Sequence, residues 1–373
     1  MTLPSAGDRR LRIAVFVALA GAVLSAPSVG ALDSLVDPVF PSYAAQGRSI
    51  VARAQGFEAL FSNPAGFRSQ PGEATFLSVS PWLESRLSPG DDLEQAMLDQ
   101  AAAGGVRFGG SVGFGYAGRG LGLGLLLSGG ARVEGTASLA GEADLQLGLA
   151  GGYSYAVKVL GMDLALGTAV RPLLRVAVPL DDEAARDLIR ASASGGLGVL
   201  DALWSEQANF AVGLAVDVGA LLDLGPVRLG LLVTDVGNTS FRYSRIKLGD
   251  LVTRLALFQG LPPGDSTDEE LTVPMELRMG AAWAVTSALR LHAEVRDPLS
   301  ALSEGLIENL SAGLELKLGK GSALWLGAAG TALSAGASWR LGPLQTSAAV
   351  YGLDFCDPDA LVPGIAAEAA IRF

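Results

Sequence analysis

Residues 289–296 read Leu289-Arg290-Leu291-His292-Ala293-Glu294-Val295-Arg296, with apolar and polar side chains alternating at every position. Successive side chains of a β-strand point to opposite faces. The octapeptide therefore puts Leu289, Leu291, Ala293 and Val295 on one face and every charged or polar group on the other. A helix would scatter the same charges around its circumference. The pattern recurs to either side. In 310–318, Leu314, Leu316 and Leu318 oppose Glu315 and Lys317, and in 143–149 Asp144 and Gln146 sit between apolar residues. The last nine residues send Glu368 and Arg372 one way and Ile371 and Phe373 the other.

Composition narrows what such strands build. Half of the 373 residues are hydrophobic, 49 are Gly and only 17% are charged. Mean hydropathy is positive, yet the one long apolar run is Ile13–Ser25, too short to span a bilayer as a helix. With Arg9, Arg10 and Arg12 before it and Val29-Gly30-Ala31 after it, residues 1–31 read as a cleaved secretory signal peptide, with Ser25 a second possible cut. A hydrophobic chain without membrane helices has one other way to satisfy its backbone in lipid, a closed β-barrel.

Alternating segments number fourteen, at about 73–84, 105–117, 120–134, 142–159, 161–178, 207–222, 225–236, 272–286, 288–298, 308–318, 322–331, 333–341, 343–353 and 363–373. One set of links is tight, as at Leu160-Gly161, Thr286-Ser287, Gly319-Lys320-Gly321 and Gly342-Pro343. The other set is mostly long: 85–104, 179–206, 237–271 and 299–307. Short inner turns alternating with long outer loops, on an even strand count, describe a transmembrane antiparallel barrel in the outer membrane. Many glycines fall on the inward register, among them Gly109, Gly113, Gly115, Gly120, Gly122 and Gly124. Small inward residues leave room in the lumen.

Several chemistries fall away. Gly113-Phe114-Gly115-Tyr116-Ala117-Gly118 matches a dinucleotide fingerprint but lies inside an alternating strand with no helix after it. A single cysteine, Cys356, excludes a disulfide framework, and a single histidine, His292, leaves one candidate base. Cys356 lies beside Asp354, Asp357 and Asp359, without EF-hand spacing. No catalytic constellation, metal site or cofactor is read. The acidic balance, 38 Asp+Glu against 27 Lys+Arg, argues against nucleic acid.

Residues 32–72 precede the first strand, do not alternate, and contain Gly56-Phe57-Glu58-Ala59-Leu60-Phe61-Ser62-Asn63-Pro64-Ala65-Gly66-Phe67. The Asn63-Pro64-Ala65-Gly66 stretch resembles the Asn-Pro-Ala segment of the long-chain fatty-acid transporter family (FadL type) and its PorV-like relatives. That family also uses fourteen strands, so the resemblance covers the whole mature chain. It implies that 32–72 folds into the lumen of the 73–373 barrel as a hatch, with Phe57, Phe61 and Phe67 facing a ligand. It departs from the family in being shorter and in lacking a glycine-rich lead-in before Asn63.

Two outer loops carry apolar clusters. Asp181–Trp204 opens on an acidic helix start and continues through Leu188, Ile189, Leu200 and Trp204; Ile246–Gln259 offers a second short helix with Leu251, Leu255 and Phe258. The resemblance implies that these loops form an apolar groove for incoming ligand. Paired Gly129-Gly130 within the third strand suit a kink, and the resemblance implies that such a kink opens the wall sideways. The expected protein is a non-enzymatic outer-membrane channel for passive uptake of hydrophobic or amphipathic small molecules such as long-chain fatty acids. Its partners would be that ligand and outer-membrane lipid. The alternative is a PorV-like structural or shuttle component of an export machine, whose partners would be other envelope proteins.

Overall fold

A computed structural model describes residues 39–68, 71–86, 92–194, 198–257, 259–260, 265–299, 301, 307, 309–319, 321–353 and 363–373. The signal peptide, Phe258 and Cys356 lie outside the described residues. The strands are β1 (Glu73–Glu84), β2 (Val106–Gly118), β3 (Leu121–Glu134), β4 (Ala140–Val159), β5 (Met162–Leu180), β6 (Gln207–Leu224), β7 (Val227–Thr234), β8 (Thr239–Lys247), β9 (Asp265–Val273), β10 (Glu276–Ala284), β11 (Leu289–Arg296), β12 (Leu310–Lys317), β13 (Ala323–Ala329), β14 (Ala332–Leu341), β15 (Leu344–Leu353) and β16 (Gly364–Arg372). Among the described residues the helices are α1 (Pro41–Ala44), α2 (Leu93–Ala103), α3 (Asp182–Ala193), α4 (Gly198–Leu203) and α5 (Leu248–Ala256), with 3-10 turns at Gly56–Phe61 and Pro64–Arg68.

Fourteen of the strands, β1–β7 and β10–β16, pair antiparallel with their neighbours, and β16 closes on β1 with Trp82 opposite Ala366. The closed ring leaves no strand edge for lipid to meet. Each of the fourteen segments expected from alternation is a wall strand, with ends shifted by a few residues. Tight turns follow the chemistry of their residues. Between β4 and β5, Leu160 (φ 55°) and Gly161 (φ 79°) both take positive φ, the geometry a two-residue hairpin requires.

The outer loop 237–271 departs from the expected picture. The expected helix is present as α5, but the residues to either side of it fold as the hairpin β8–β9, whose first strand pairs with the tip of β6 (Gln207↔Lys247 to Phe210↔Ser244). The stretch Asp265–Val273 carries Asp265, Asp268, Glu269 and Glu270, too polar to read as a strand of any wall. The loop 85–104 gains α2, capped by the Asp92 side chain accepting from the Gln95 N–H at 3.2 Å.

The pleat sorts the side chains. Outward positions are exposed and apolar over the middle of the wall: Phe114 (51%), Leu123 (62%), Leu214 (60%) and Leu326 (56%). Exposed aromatics Tyr153, Tyr155, Trp283, Trp339 and Phe373 lie toward the tight-turn end, where an interfacial girdle belongs. Towards the loop end the same face becomes buried. Val106, Phe108, Ala131, Val133, Ala143, Val178 and Phe210 all sit on the outward register, and all join one apolar cluster with Met97, Leu188, Ile189, Leu203, Leu248 and Leu251 of the loop helices. The helices therefore cover the outside of the strand tips. The inward residues Leu173, Ala177, Ala211 and Ala215 pack instead against Phe241 and Tyr243 of β8. The wall's upper rim is thus covered by helices on its outer face, while β8 extends the sheet beside β6 and turns Phe241 and Tyr243 to the inner face.

Candidate functional site

Inside the wall runs the N-terminal segment 39–68. Phe40, Val51, Phe57, Asn63, Ala65 and Phe67 are fully buried. Phe40, Phe57 and Phe61 stack edge to face, with neighbouring centroids 6.2 and 5.4 Å apart. Inward glycines are explained by this contact. A Cβ on Gly113 would strike the Phe57 ring, one on Gly122 or Gly152 the Phe67 ring, and one on Gly167 the Pro64-Ala65 backbone. Of the glycines expected inward, Gly120 is the exception: it sits in the β2–β3 turn at φ 92°.

Polar bonds fasten the segment. The Asn63 amide donates to the carbonyls of Val51 (3.0 Å), Leu231 (3.1 Å) and Ala220 (3.3 Å), and its oxygen accepts from the Ala65 N–H (3.1 Å). Leu231 and Ala220 face each other across β6 and β7, so one side chain ties the segment to the wall. The Glu294 carboxylate accepts from the Ile50 and Val51 N–H groups at 2.6 and 2.8 Å. Ser42 donates to Glu58 at 2.6 Å, and Tyr43 and Ser62 donate to the Glu58 carbonyl. Burial pushes the Glu58 carboxyl above its ordinary value, Arg53 and Arg372 nearby opposing the rise and Glu368 adding to it. Elsewhere on the inner face, charges pair across strands: Arg171 with Asp217 (2.6 Å), Arg175 with Asp144 (2.8 Å) and Arg290 with Glu315 (3.3 Å).

Outside the wall lies an apolar cavity of about 1050 Å³. Its roof is Leu93, Met97, Leu188 and Leu203 of the helices. Its wall side is formed by outward residues such as Phe108, Val112 and Leu127, with Ala337 and Ala367 as a smooth continuation on β14 and β16. Val112 and Leu127 are also exposed on the lipid-facing belt, at 42% and 45%. The cavity therefore runs from beneath the helices to the membrane face over a mostly apolar lining, bordered also by Ser111, Ser128, Asp144 and Ser192.

The residues expected to meet one ligand fall in two places. Phe57 and Phe67 are enclosed in the lumen and Phe61 is partly buried there. Leu188 lines the outer cavity, whereas Ile189 and Leu251 are buried between helices and wall. Trp204 (45%) and Leu255 (37%) are exposed on the outer surface, and Leu200 lies on α4. The barrel wall separates the two groups. The strand kink is also corrected: every residue from Leu121 to Val133 pairs in unbroken register with β2, and from Leu121 to Glu134 with β4. Gly129 and Gly130 stand opposite Gly110 and Gly109, so four glycines thin the wall without bending it. Cβ-less Gly129 lets the Leu145 side chain and Asp144 carbonyl close over it. The cavity itself had no signal in sequence beyond the apolar loops, because which face of the wall a helix covers is set by tertiary packing.

No protein-family model and no curated sequence matches the chain. Solved structures do match it. A Pseudomonas aeruginosa FadL homologue superposes with TM-score 0.52 at 14% identity, over 92% of this chain and 99% of that one. The deltaS2S3 mutant of the monoaromatic hydrocarbon channel TodX gives TM-score 0.52 at 14% identity, over 90% and 98%. Likeness at this identity is a likeness of fold, and it spans the barrel from end to end. The chain is a closed fourteen-stranded antiparallel barrel with the FadL-type fold.

Proposed function

We propose that the protein carries hydrophobic or amphipathic small molecules, long-chain fatty acids among them, passively into the outer membrane. The apolar cavity of about 1050 Å³ under the outer helices carries this reading. Its size suits one drug- or lipid-sized ligand, and the helices roof it over with Leu93, Met97, Leu188 and Leu203. Solved structures of the same fold bear the names of a hydrocarbon channel and a FadL homologue. Residues 32–72 serve as the hatch that fills the lumen, with Asn63-Pro64-Ala65-Gly66 fixing its turn against β6 and β7. Pro64 presets its backbone, and the Asn63 oxygen closes the turn on the Ala65 N–H. The protein reaches the outer membrane by a cleaved signal peptide, and needs no cofactor.

The test is transfer of a fluorescent long-chain fatty acid from donor vesicles into liposomes holding the purified protein. Protein-bearing liposomes should fill faster than empty ones, and Leu188→Asp should remove most of the gain, because it sets a charge in an apolar cavity. Equal rates with and without protein would refute the reading.

A further inference from the structure

Three observations bear on the path that a hydrophobic molecule takes. The wall is closed: β1–β7 and β10–β16 pair all the way round, and β3 shows no break at Gly129-Gly130. The lumen is tightly occupied on the turn side, where single methyl groups at Gly113, Gly122, Gly167 or Gly219 would collide with the segment. On the loop side, Phe241 of β8, which lies beside β6 in the sheet, turns its ring over the inner face of Gly213 so closely that a Cβ there would collide with it. The one large apolar space among the cavities described is on the other side of the wall. Its strand-side chains, Phe108, Val112, Leu127, Ala337 and Ala367, share the register of the lipid-facing belt.

We infer that the transfer route runs outside the barrel: a single-chain amphiphile enters beneath α2 and α3 and slides along the outer wall into the outer leaflet. It never crosses the lumen. This rests on the transport reading and deepens it. The occupant is an acyl chain, because the lining is mostly apolar and includes Val112 and Leu127, which are also exposed on the outer wall. The helices supply the polar end. On α3, the helix that carries Leu188, Asp182 pairs with Arg186 and Asp187 with Arg190, all exposed. The small residues Ala337, Ala348 and Ala367, neighbours across β14, β15 and β16, keep the floor flat enough for a flexible chain. The N-terminal segment then has a separate task, closing the lumen to water.

Ala337 and Ala367 point outward, so a larger side chain there fills the cavity without touching the lumen or the ladder. In liposomes holding the full mature protein, Ala337→Trp and Ala367→Trp should each slow transfer of the fluorescent fatty acid about tenfold, equivalent to about 1.4 kcal/mol. Heat-modifiable gel mobility should stay that of the folded barrel, and Leu326→Trp, on the outer wall away from the cavity, should keep normal transfer. A diazirine-bearing hexadecanoic acid should label Met97, Phe108 or Leu188 on irradiation. Labelling of Phe57, Leu60 or Phe67 instead, with both tryptophan variants transferring normally, would put the route through the lumen and overturn the inference while leaving transport intact. If the wild-type protein transfers no probe, the transport reading falls and the route falls with it.

Discussion

Asn63 holds two pieces of backbone together at once, the segment's own Val51 and the facing carbonyls of β6 and β7. It is fully buried, so removing its amide leaves acceptors without a donor and without water. Such a loss costs about 1–3 kcal/mol. Asn63→Ala should therefore lower the unfolding midpoint of the segment and expose Arg53 to trypsin, with the barrel itself still resistant. Unchanged protection at Arg53 would show that the amide bonds do not hold the segment. Glu58 adds a dependence on pH. Its folded pKa is raised, so the protonated form binds more tightly in the docked segment. The associated stability is fully present below the unfolded carboxyl value and is lost as pH rises through the raised folded value. Protection of Arg53 should weaken over that interval, and Glu58→Gln should flatten the profile. A profile that keeps its slope in Glu58→Gln would assign the titration to another group.

At the scale of elements, the rim is held from both sides. Phe241 of β8 is buried on the inner face against Leu173 and Ala215 of β5 and β6, and truncating it opens a cavity. Phe241→Ala should cost the hairpin about 3–5 kcal/mol, read as new cleavage at Arg242 or Arg245 while the wall stays folded. Cleavage equal to wild type would mean that the hairpin is held by its pairing with β6 alone. This rim also marks where the sequence stops being legible. The wall was readable because each strand faces two unlike media, and period-two alternation records that contrast, as in Leu289–Arg296. The β8–β9 hairpin has no such contrast: β9 is acidic and lies on β8 above the wall. Helices α3 and α5 were visible as apolar clusters, α3 with an acidic start, but Leu188 and Leu251 say only that one face is buried. Nothing in them tells which side of the wall they cover. The Asn63-Pro64-Ala65-Gly66 turn was legible, its wall partners Ala220 and Leu231 were not, since both bonds go to backbone. Gly129-Gly130 misled because a glycine pair serves close packing as readily as a bend.

For the molecule as a whole, both ends of the barrel chain meet at the tight-turn side, where Ala74 and Phe373 exchange backbone bonds of 3.0 and 2.9 Å. Short turns face the periplasm in barrels of this kind, so single cysteines placed at Arg190 or Thr253, in a Cys356→Ser background, should react with an impermeant maleimide on intact cells. One at Gly161 should not, and its labelling from outside would reverse the orientation. The same architecture separates the ladder from what it encloses. Wall pairing is closed without the N-terminal segment, so a chain lacking residues 32–66 should still insert and show folded mobility. What it loses is the filling. Inward glycines that now abut Phe57, Leu60, Phe67 and Pro64 would line open water, flanked by the charges of Arg171, Asp217, Glu294 and Arg290. In planar bilayers the deletion should conduct small ions where the intact protein does not. Fatty-acid transfer along the outer wall should persist, since Met97, Leu188 and Phe108 are untouched. If conductance stays at the level of the intact protein, residues 32–66 do not close the lumen, and the hatch reading fails.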